Sequence, residues 1–263
     1  MAAVPDLEAL MDAAWPAAER QDGGGWVLRA ASGVTQRANS VWPRSEPGTT
    51  PQGWPAALRA ARLWYRTRRL PLIFQVFDDP RYDALNALLD EEGFTRQSET
   101  LILVRDAETG APPAEPDAGV EVSAGPSEEW LRLWWSVDGR GGAVELAVAR
   151  GILAGCPSLY ALVRDDDGVP AAVGRLAVPP GGATGRGGLY AMATRPDARR
   201  RGHAARIMQA LLREGAQRGL GGFWLLVMAS NAGARELYVG AGFRETGRYL
   251  YRQERPRRHL TGC

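Results

Sequence analysis

The run Arg199-Arg200-Arg201-Gly202-His203-Ala204 is followed, 27 residues after Ala204, by Asn231-x-x-Ala234-x-x-Leu237-Tyr238-x-x-x-Gly242-Phe243, and this pair decides how the chain is read. Upstream of the first run, Gly188 to Thr194 is a mostly apolar stretch that reads as a buried strand. Pro196 ends it, because proline cannot donate to a sheet ladder. Downstream, Ala204, Ile207, Met208, Leu211 and Leu212 recur at i, i+3, i+4, i+7 and i+8, the period of a helix with one buried face. A strand, a Gly/Arg turn and a helix start leave backbone N–H groups unpaired, and the helix dipole makes that corner attractive to anions. Gly202 permits close backbone approach, Ala204 keeps the next position small, and the arginines add charge and forked donors. A solvated arginine cluster at a helix start is the other reading of the same residues.

The second run has its own strand and helix. Gly222 to Met228 is a second apolar strand, and Asn231 stands where a helix N-cap would. Ala234, Leu237, Tyr238 and Ala241 follow at helical spacing, and Gly242 suits the left-handed residue that stops a helix. Singly, Asn231 serves as a cap and Tyr238 as core filling; jointly, behind an anion-binding turn and two strands, they fit one pattern.

Arg199-x-x-Gly202-x-Ala204 resembles the acetyl-CoA pyrophosphate motif, Gln/Arg-x-x-Gly-x-Gly/Ala, of the GNAT family of N-acetyltransferases. Asn231 through Phe243 is similar to the element that follows it in that family, and the resemblance covers about Val120 to Arg252. It implies an α/β fold with a mixed α+β sheet, in which acetyl-CoA lies where two central parallel strands splay. It implies that Met192, Ala193 and Thr194 offer backbone groups to the pantetheine arm. Arg199, Arg200, Arg201, Gly202, His203 and Ala204 would hold the pyrophosphate, Asn231 would bond the arm, and Tyr238 would donate to the departing thiolate. A phenol of pKa about 10 facing a thiol of pKa about 8.5 makes complete proton transfer uphill by about 2 kcal/mol, so a strong hydrogen bond or late transfer suits Tyr238 better. One feature departs from the family. Many members carry a glutamate base on the fourth strand, and here Leu189-Tyr190-Ala191-Met192 holds no carboxylate. Asp138 and Glu145 fall in the region of the acceptor wall, and a water relay or an amine of low pKa is equally open.

The N-terminal half carries a partial repeat of this pattern at an offset of 149 residues: Gly202 falls on Gly53, Phe223 on Phe74, and Gly242-Phe243 on Gly93-Phe94. The chemistry does not repeat. Arg199 falls on Thr50, Asn231 on Tyr82 and Tyr238 on Leu89, while Val227 falls on Asp78. Trp26 to Asp106 therefore reads as a partial GNAT-like unit with strands at Trp26–Ala30, Arg37–Trp42, Leu72–Phe77 and Leu101–Arg105, and helices at Pro55–Arg69 and Tyr82–Glu91. An unrelated α/β domain with a chance Gly-Phe match is the alternative. The arrangement resembles tandem GNAT proteins of high-GC actinobacteria. Glu108 to Ala118, rich in proline and acids, reads as a linker, which divides the chain near residue 115 into a degenerate domain, 1–115, and a catalytic one, 116–263.

Composition bounds the rest. A chain that is 45% hydrophobic can build substantial cores, yet no stretch of 18 uncharged apolar residues is present to span a membrane. Acids at Asp6, Glu8, Asp12 and Glu19 do not suit a secretory signal, so a cytoplasmic protein is expected. Two cysteines and two histidines offer no metal cluster, and a net charge of +2 gives no case for nucleic acid. No lysine occurs, so every basic side chain is arginine. Arg66 to Arg69 suits a helix end, and Arg255 to Arg258 a solvated tail. Trp130, Trp134 and Trp135 lie on an expected helix before the loop Asp138-Gly139-Arg140-Gly141-Gly142, where family members contact the amine. They either line a pocket or pack the helix. The expected function is transfer of an acetyl group from acetyl-CoA to a primary amine of a small molecule by direct attack in a ternary complex, by a monomer or homodimer. A non-catalytic acyl-CoA-binding sensor is the alternative.

Overall fold

The computed structural model describes residues 4–23, 25–44, 53–109, 117–180 and 185–255. The expected boundary near residue 115, Thr50 and the tail from residue 256 lie outside them. The helices are α1 (Val4–Ala14), α2 (Trp54–Thr67), α3 (Asp83–Glu91), α4 (Glu128–Asp138), α5 (Ala143–Ala154), α6 (His203–Gln217) and α7 (Ala232–Gly240). The strands are β1 (Glu19–Gly23), β2 (Trp26–Ala30), β3 (Trp42–Pro43), β4 (Ile73–Phe77), β5 (Thr95–Asp106), β6 (Val120–Ser123), β7 (Ser158–Arg164), β8 (Pro170–Ala177), β9 (Arg186–Thr194), β10 (Gly222–Met228) and β11 (Arg244–Gln253).

These elements form two compact units that interleave along the chain. One comprises Met1–Pro16 and Leu101–Thr246, the other Ala17–Thr100 and Gly247–Cys263. A single cut near residue 115 thus differs from the observed division by α1, by the second half of β5 and by the second half of β11. The reason is strand pairing, which joins segments distant in sequence.

In the first unit the sheet runs β11-β5-β10-β9-β8-β7-β6. Strands β6 to β9 pair antiparallel, and β9 pairs with β10 in parallel. Residues Leu101–Asp106, contributed from the first half of the sequence, sit between β10 and β11. Alternation along the strands sends side chains to two faces. Leu159, Ala161, Val163, Ala172 and Leu176 meet Ile207, Met208 and Leu211 of α6. On the other face Tyr160 meets Trp130 of α4 edge-on at 5.1 Å. Trp130, Leu131, Leu133 and Trp134 are all buried, so two of the three tryptophans pack, while Trp135 is half-buried. Arg175 of β8 is fully buried. It donates to Ser158 Oγ (2.9 Å), to Ala14 O at the end of α1 (2.9 Å) and to Leu153 O at the end of α5 (3.2 Å). It thereby serves the carbonyl ends of two helices, which carry partial negative charge.

In the second unit β1, β2 and β3 make a small antiparallel sheet, and β4 pairs antiparallel with Tyr249–Gln253 of β11. The order α2-β4-α3-β5 repeats α6-β10-α7-β11, as the offset implied. The strand expected over Arg37–Trp42 is a correction: only Trp42–Pro43 is strand, with one bridge from Val41 to Phe74. Asn39 is the cause. Its Oδ1 accepts from Ala31 N (2.8 Å) and Gly33 N (2.9 Å), and its Nδ2 donates to Val34 O and Thr35 O (both 2.8 Å). A side chain that satisfies four loop backbone groups competes directly with a ladder.

Candidate active site

Strands β9 and β10 create the opening. Their parallel ladder runs from Arg186–Gly222 to Leu189–Leu225, yet β9 continues to Thr194 and β10 to Met228. The strands diverge beyond the ladder. The departure coincides with a bulge: Ala191 has φ +50°, and the β8–β9 register shifts between Val173 and Arg175. An extra residue on one strand bends it and frees its backbone groups. Opposite the bulge stands Gly174, where an added Cβ would lie 2.5 Å from Met192 Sδ and 2.6 Å from Ile207. Only glycine leaves room there for α6 and the bulged strand.

The diverging strands open into a cavity of about 530 Å³. Met192, Ala193 and Thr194 line it from β9; Arg199, Arg200, Gly202, His203 and Ala204 from the turn and the start of α6; Asn231 and Tyr238 from α7; and Asp138 from α4. Of the sequence-derived site residues, Arg201 alone is exposed without lining the cavity. Arg200 and Gly202 both hold positive φ, +63° and +83°, and Gly202 is the N-cap of α6. A Cβ on Gly202 would meet nothing within 4 Å, so glycine here answers to backbone conformation and to an open approach. None of Arg199, Arg200 and Arg201 makes an ion pair among the described residues. Their neighbour Arg195, which sequence reading passed over, is instead paired with Asp165 and Asp197, each at 2.6 Å. It also donates to Pro170 O at 2.9 Å. Arg195 fastens the turn, while Arg199, whose Nε donates to Thr194 O at 3.3 Å, and Arg200 line the cavity. In a chain whose basic residues are all arginine, nothing local distinguishes the one that anchors from the three that are available.

His203 is buried, and its Nδ1 has no hydrogen-bond partner. A buried polar atom left unsatisfied costs about 1–3 kcal/mol, so its position beside the cavity and the first turn of α6 suits a bound anionic group. These features together fit a pyrophosphate: free helical N–H groups, guanidiniums without a carboxylate partner among the described residues, a left-handed glycine and an orphan imidazole nitrogen. Asn231 caps α7, its Oδ1 accepting from Ala234 N at 3.2 Å, and it is exposed at the cavity edge.

Tyr238 is buried against Phe243, edge-on at 6.1 Å. Burial, and then the negative charge of Asp138, push its pKa up to about 12. Full transfer of its proton to a thiolate is then uphill by about 5 kcal/mol, more than twice the cost at ordinary values. A hydrogen bond is what this phenol can offer. Asp138 has surface open to the cavity, yet the surrounding walls crowd out bulk water and push its pKa above the usual range, against the Trp134 indole and Arg199, which lower it. Glu145 is elsewhere: its Oε2 accepts from Gly142 N at 2.7 Å at the start of α5. Trp15, just beyond α1, stacks on Tyr190 at 5.5 Å and meets Trp134 edge-on at 6.4 Å. Among the described residues no group of three His, Cys, Asp or Glu is placed to hold a metal, and no helix is long and apolar enough to cross a membrane.

Comparison with known proteins bears on the family and the fold. Residues 1–252 match the family model described as "Probable histone acetyltransferase Rv0428c C-terminal". A Mycobacterium tuberculosis protein named "Probable histone acetyltransferase Rv0428c" is 36% identical over 133 residues, 51% of this chain and 39% of that protein. This chain thus aligns with about two-fifths of that relative. A Bacillus subtilis protein named "Uncharacterized N-acetyltransferase YobR" is 25% identical over 264 residues, covering 95% of this chain and 98% of its own. Among solved structures, a GCN5-related N-acetyltransferase from Kribbella flavida superposes with a TM-score of 0.69 at 20% identity, over 99% of this chain and 98% of that one. A tandem GNAT protein from the clavulanic acid biosynthesis pathway does so at 0.63 and 16%, over 97% and 89%.

Proposed function

The chain belongs to the Rv0428c C-terminal family of GNAT-fold acetyltransferases, and on that premise we propose that it moves an acetyl group from acetyl-CoA to a primary amine of a small molecule by direct attack in a ternary complex. One observation carries the reading. A single cavity brings together the arginine turn at the start of α6, the diverging end of β9 and the phenol of Tyr238. In this reading Arg199, Arg200, His203 and the N–H groups of the first turn of α6 hold the pyrophosphate, with Arg201 adding charge from outside. Met192, Ala193 and Thr194 bond the pantetheine arm, and Asn231 closes on it from the cap of α7. Tyr238 donates a hydrogen bond to the sulfur as charge develops there, an interaction made in the transition state more than in the ground state. The N-terminal unit holds no acetyl-CoA in this scheme. Gly53, the counterpart of Gly202, is right-handed at φ −83°, and no arginine turn precedes α2.

The test is acetyl-CoA-dependent thiol release against a panel of small amines, with Tyr238→Phe alongside. A lysine-bearing histone peptide belongs in the panel, because the Mycobacterium tuberculosis relative is named for that acceptor. Release with one amine class, reduced in the variant, is the expected result. Tight acetyl-CoA binding with no release from any acceptor points to the sensor function instead.

A further inference from the structure

We propose that Asp138 is the general base of the reaction, receiving the proton that the acceptor amine sheds; this rests on the acetyltransferase reading above. Residues 186–194 of β9 include no carboxylate, so the strand wall of the cavity has no base to offer. Two carboxylates line the cavity, Asp138 and Glu236. Both are exposed, but Glu236 stands two residues from Tyr238 on α7, a spacing that places side chains on different helix faces. Asp138 is close enough to Tyr238 to raise its pKa and close enough to Arg199 to be influenced in turn. Asp138 thus shares one cavity wall with the phenol and the arginine turn.

Trp134, one turn earlier on α4, is the neighbour whose indole favours the charged carboxylate and lowers its pKa. The Trp134 ring is itself fixed against Trp15, Trp130 and Trp135, with ring centroids 6.4, 5.7 and 5.7 Å away. Asp138 ends α4, where the partial negative charge of the helix terminus opposes a carboxylate and makes it a better proton acceptor. The other charged or titratable groups on the cavity wall are Arg199, Arg200, His203, Glu236 and Tyr238.

The chemistry balances. As nitrogen attacks, the C–N bond forms and the C–S bond breaks with its electron pair on sulfur. Nitrogen sheds one proton to Asp138, sulfur leaves as a thiolate held by the Tyr238 hydrogen bond and takes a proton from solvent, and Asp138 returns its proton to solvent. An acceptor that arrives as an ammonium first loses one further proton to solvent. Protonation of Asp138 also removes the charge that weakens Tyr238 as an acid, so the phenol donates more strongly once the base has acted.

The experiment measures kcat/KM against pH for the full chain with its preferred amine, in wild type, Asp138→Asn, Asp138→Glu and Trp134→Phe. Wild-type activity should rise with pH along a limb set by Asp138, above the ordinary aspartate range. Asp138→Asn should lose that limb and about 100-fold or more in kcat/KM, the usual scale of general-base catalysis. Its acetyl-CoA dissociation constant should stay within about 3-fold of wild type, since the loss concerns the transition state. Asp138→Glu should recover part of the rate with a limb, and an acceptor of low pKa should narrow the gap between Asn and wild type. Trp134 is a positioning residue: Trp134→Phe keeps the ring and loses the donor, so its limb should move to higher pH with the plateau retained. An Asp138→Asn enzyme that keeps both limb and rate overturns the base, as does one whose only defect is a raised acceptor KM. A wild-type protein that acetylates no amine at all overturns the acetyltransferase reading itself.

Discussion

Tyr238 and the arginines of the turn act through different charges, and their variants should separate. Tyr238→Phe removes a donor to a developing thiolate. A charge-assisted hydrogen bond is worth about 1.5–3 kcal/mol, so kcat should fall by roughly 10- to 150-fold with acetyl-CoA affinity little changed, as read by steady-state kinetics beside direct titration of acetyl-CoA. Arg199→Gln or Arg200→Gln should do the reverse, raising the acetyl-CoA dissociation constant by about tenfold or more while sparing kcat. The affinity lost should depend on ionic strength, because these guanidiniums are exposed. Asp138 has a further effect on stability. Its pKa is raised in the fold, so the folded state binds the proton more tightly than the unfolded one, and stability declines as pH rises through the folded value. Asp138→Asn should therefore melt at or above the wild-type temperature at neutral pH. Much of this was legible beforehand. The arginine turn, Asn231 and Tyr238 stand at fixed spacings, and the fold brings Arg199, Arg200, Asn231 and Tyr238 to one cavity. The cap at Asn231 was legible too, whereas that of Glu145 on α5 was not, since an acidic side chain beside a helix start can face backbone or ligand with the same sequence.

At the scale of elements, α6, α7, β2 and β10 were legible because each has an apolar period and a stop signal of its own. The strand expected at Arg37–Trp42 failed because Asn39 binds backbone groups up to eight residues away, which periodicity does not register. Helices α1 and α5 offered less contrast. Arg175, which ties their carbonyl ends, looks in the sequence like any other arginine. Its removal should be costly. Arg175→Leu leaves several buried carbonyls without a donor, at about 1–3 kcal/mol each, so a loss of roughly 3 kcal/mol is expected. For a domain of this size that lowers the melting midpoint by about 6–12 °C in calorimetry. Since Trp15 and Tyr190 flank Arg175 at 5.6 and 5.9 Å, tryptophan fluorescence should report the same transition.

At the scale of the molecule, the repeat was legible and the division was not. Spacing carries over from one half to the other, whereas the choice of pairing partner for β5 and β11 leaves no local trace. The unit that holds the cavity takes its strand at Leu101–Asp106 and its helix α1 from the first half, and the other unit takes Gly247–Gln253 from the second. A fragment beginning at residue 116 thus lacks α1, Trp15 and a strand between β10 and β11. It should be aggregated or molten by size-exclusion chromatography and circular dichroism, while the full chain melts cooperatively. The same exchange bears on how the protein is made. Domains generally fold as they leave the ribosome, earliest first. Here β4, made early, waits for its partner β11 near the other end of the sequence, and α1 waits more than a hundred residues for the β8 arginine that caps it. Ribosomal order and pairing order therefore differ: the pairing of β4 becomes available only when β11 has emerged.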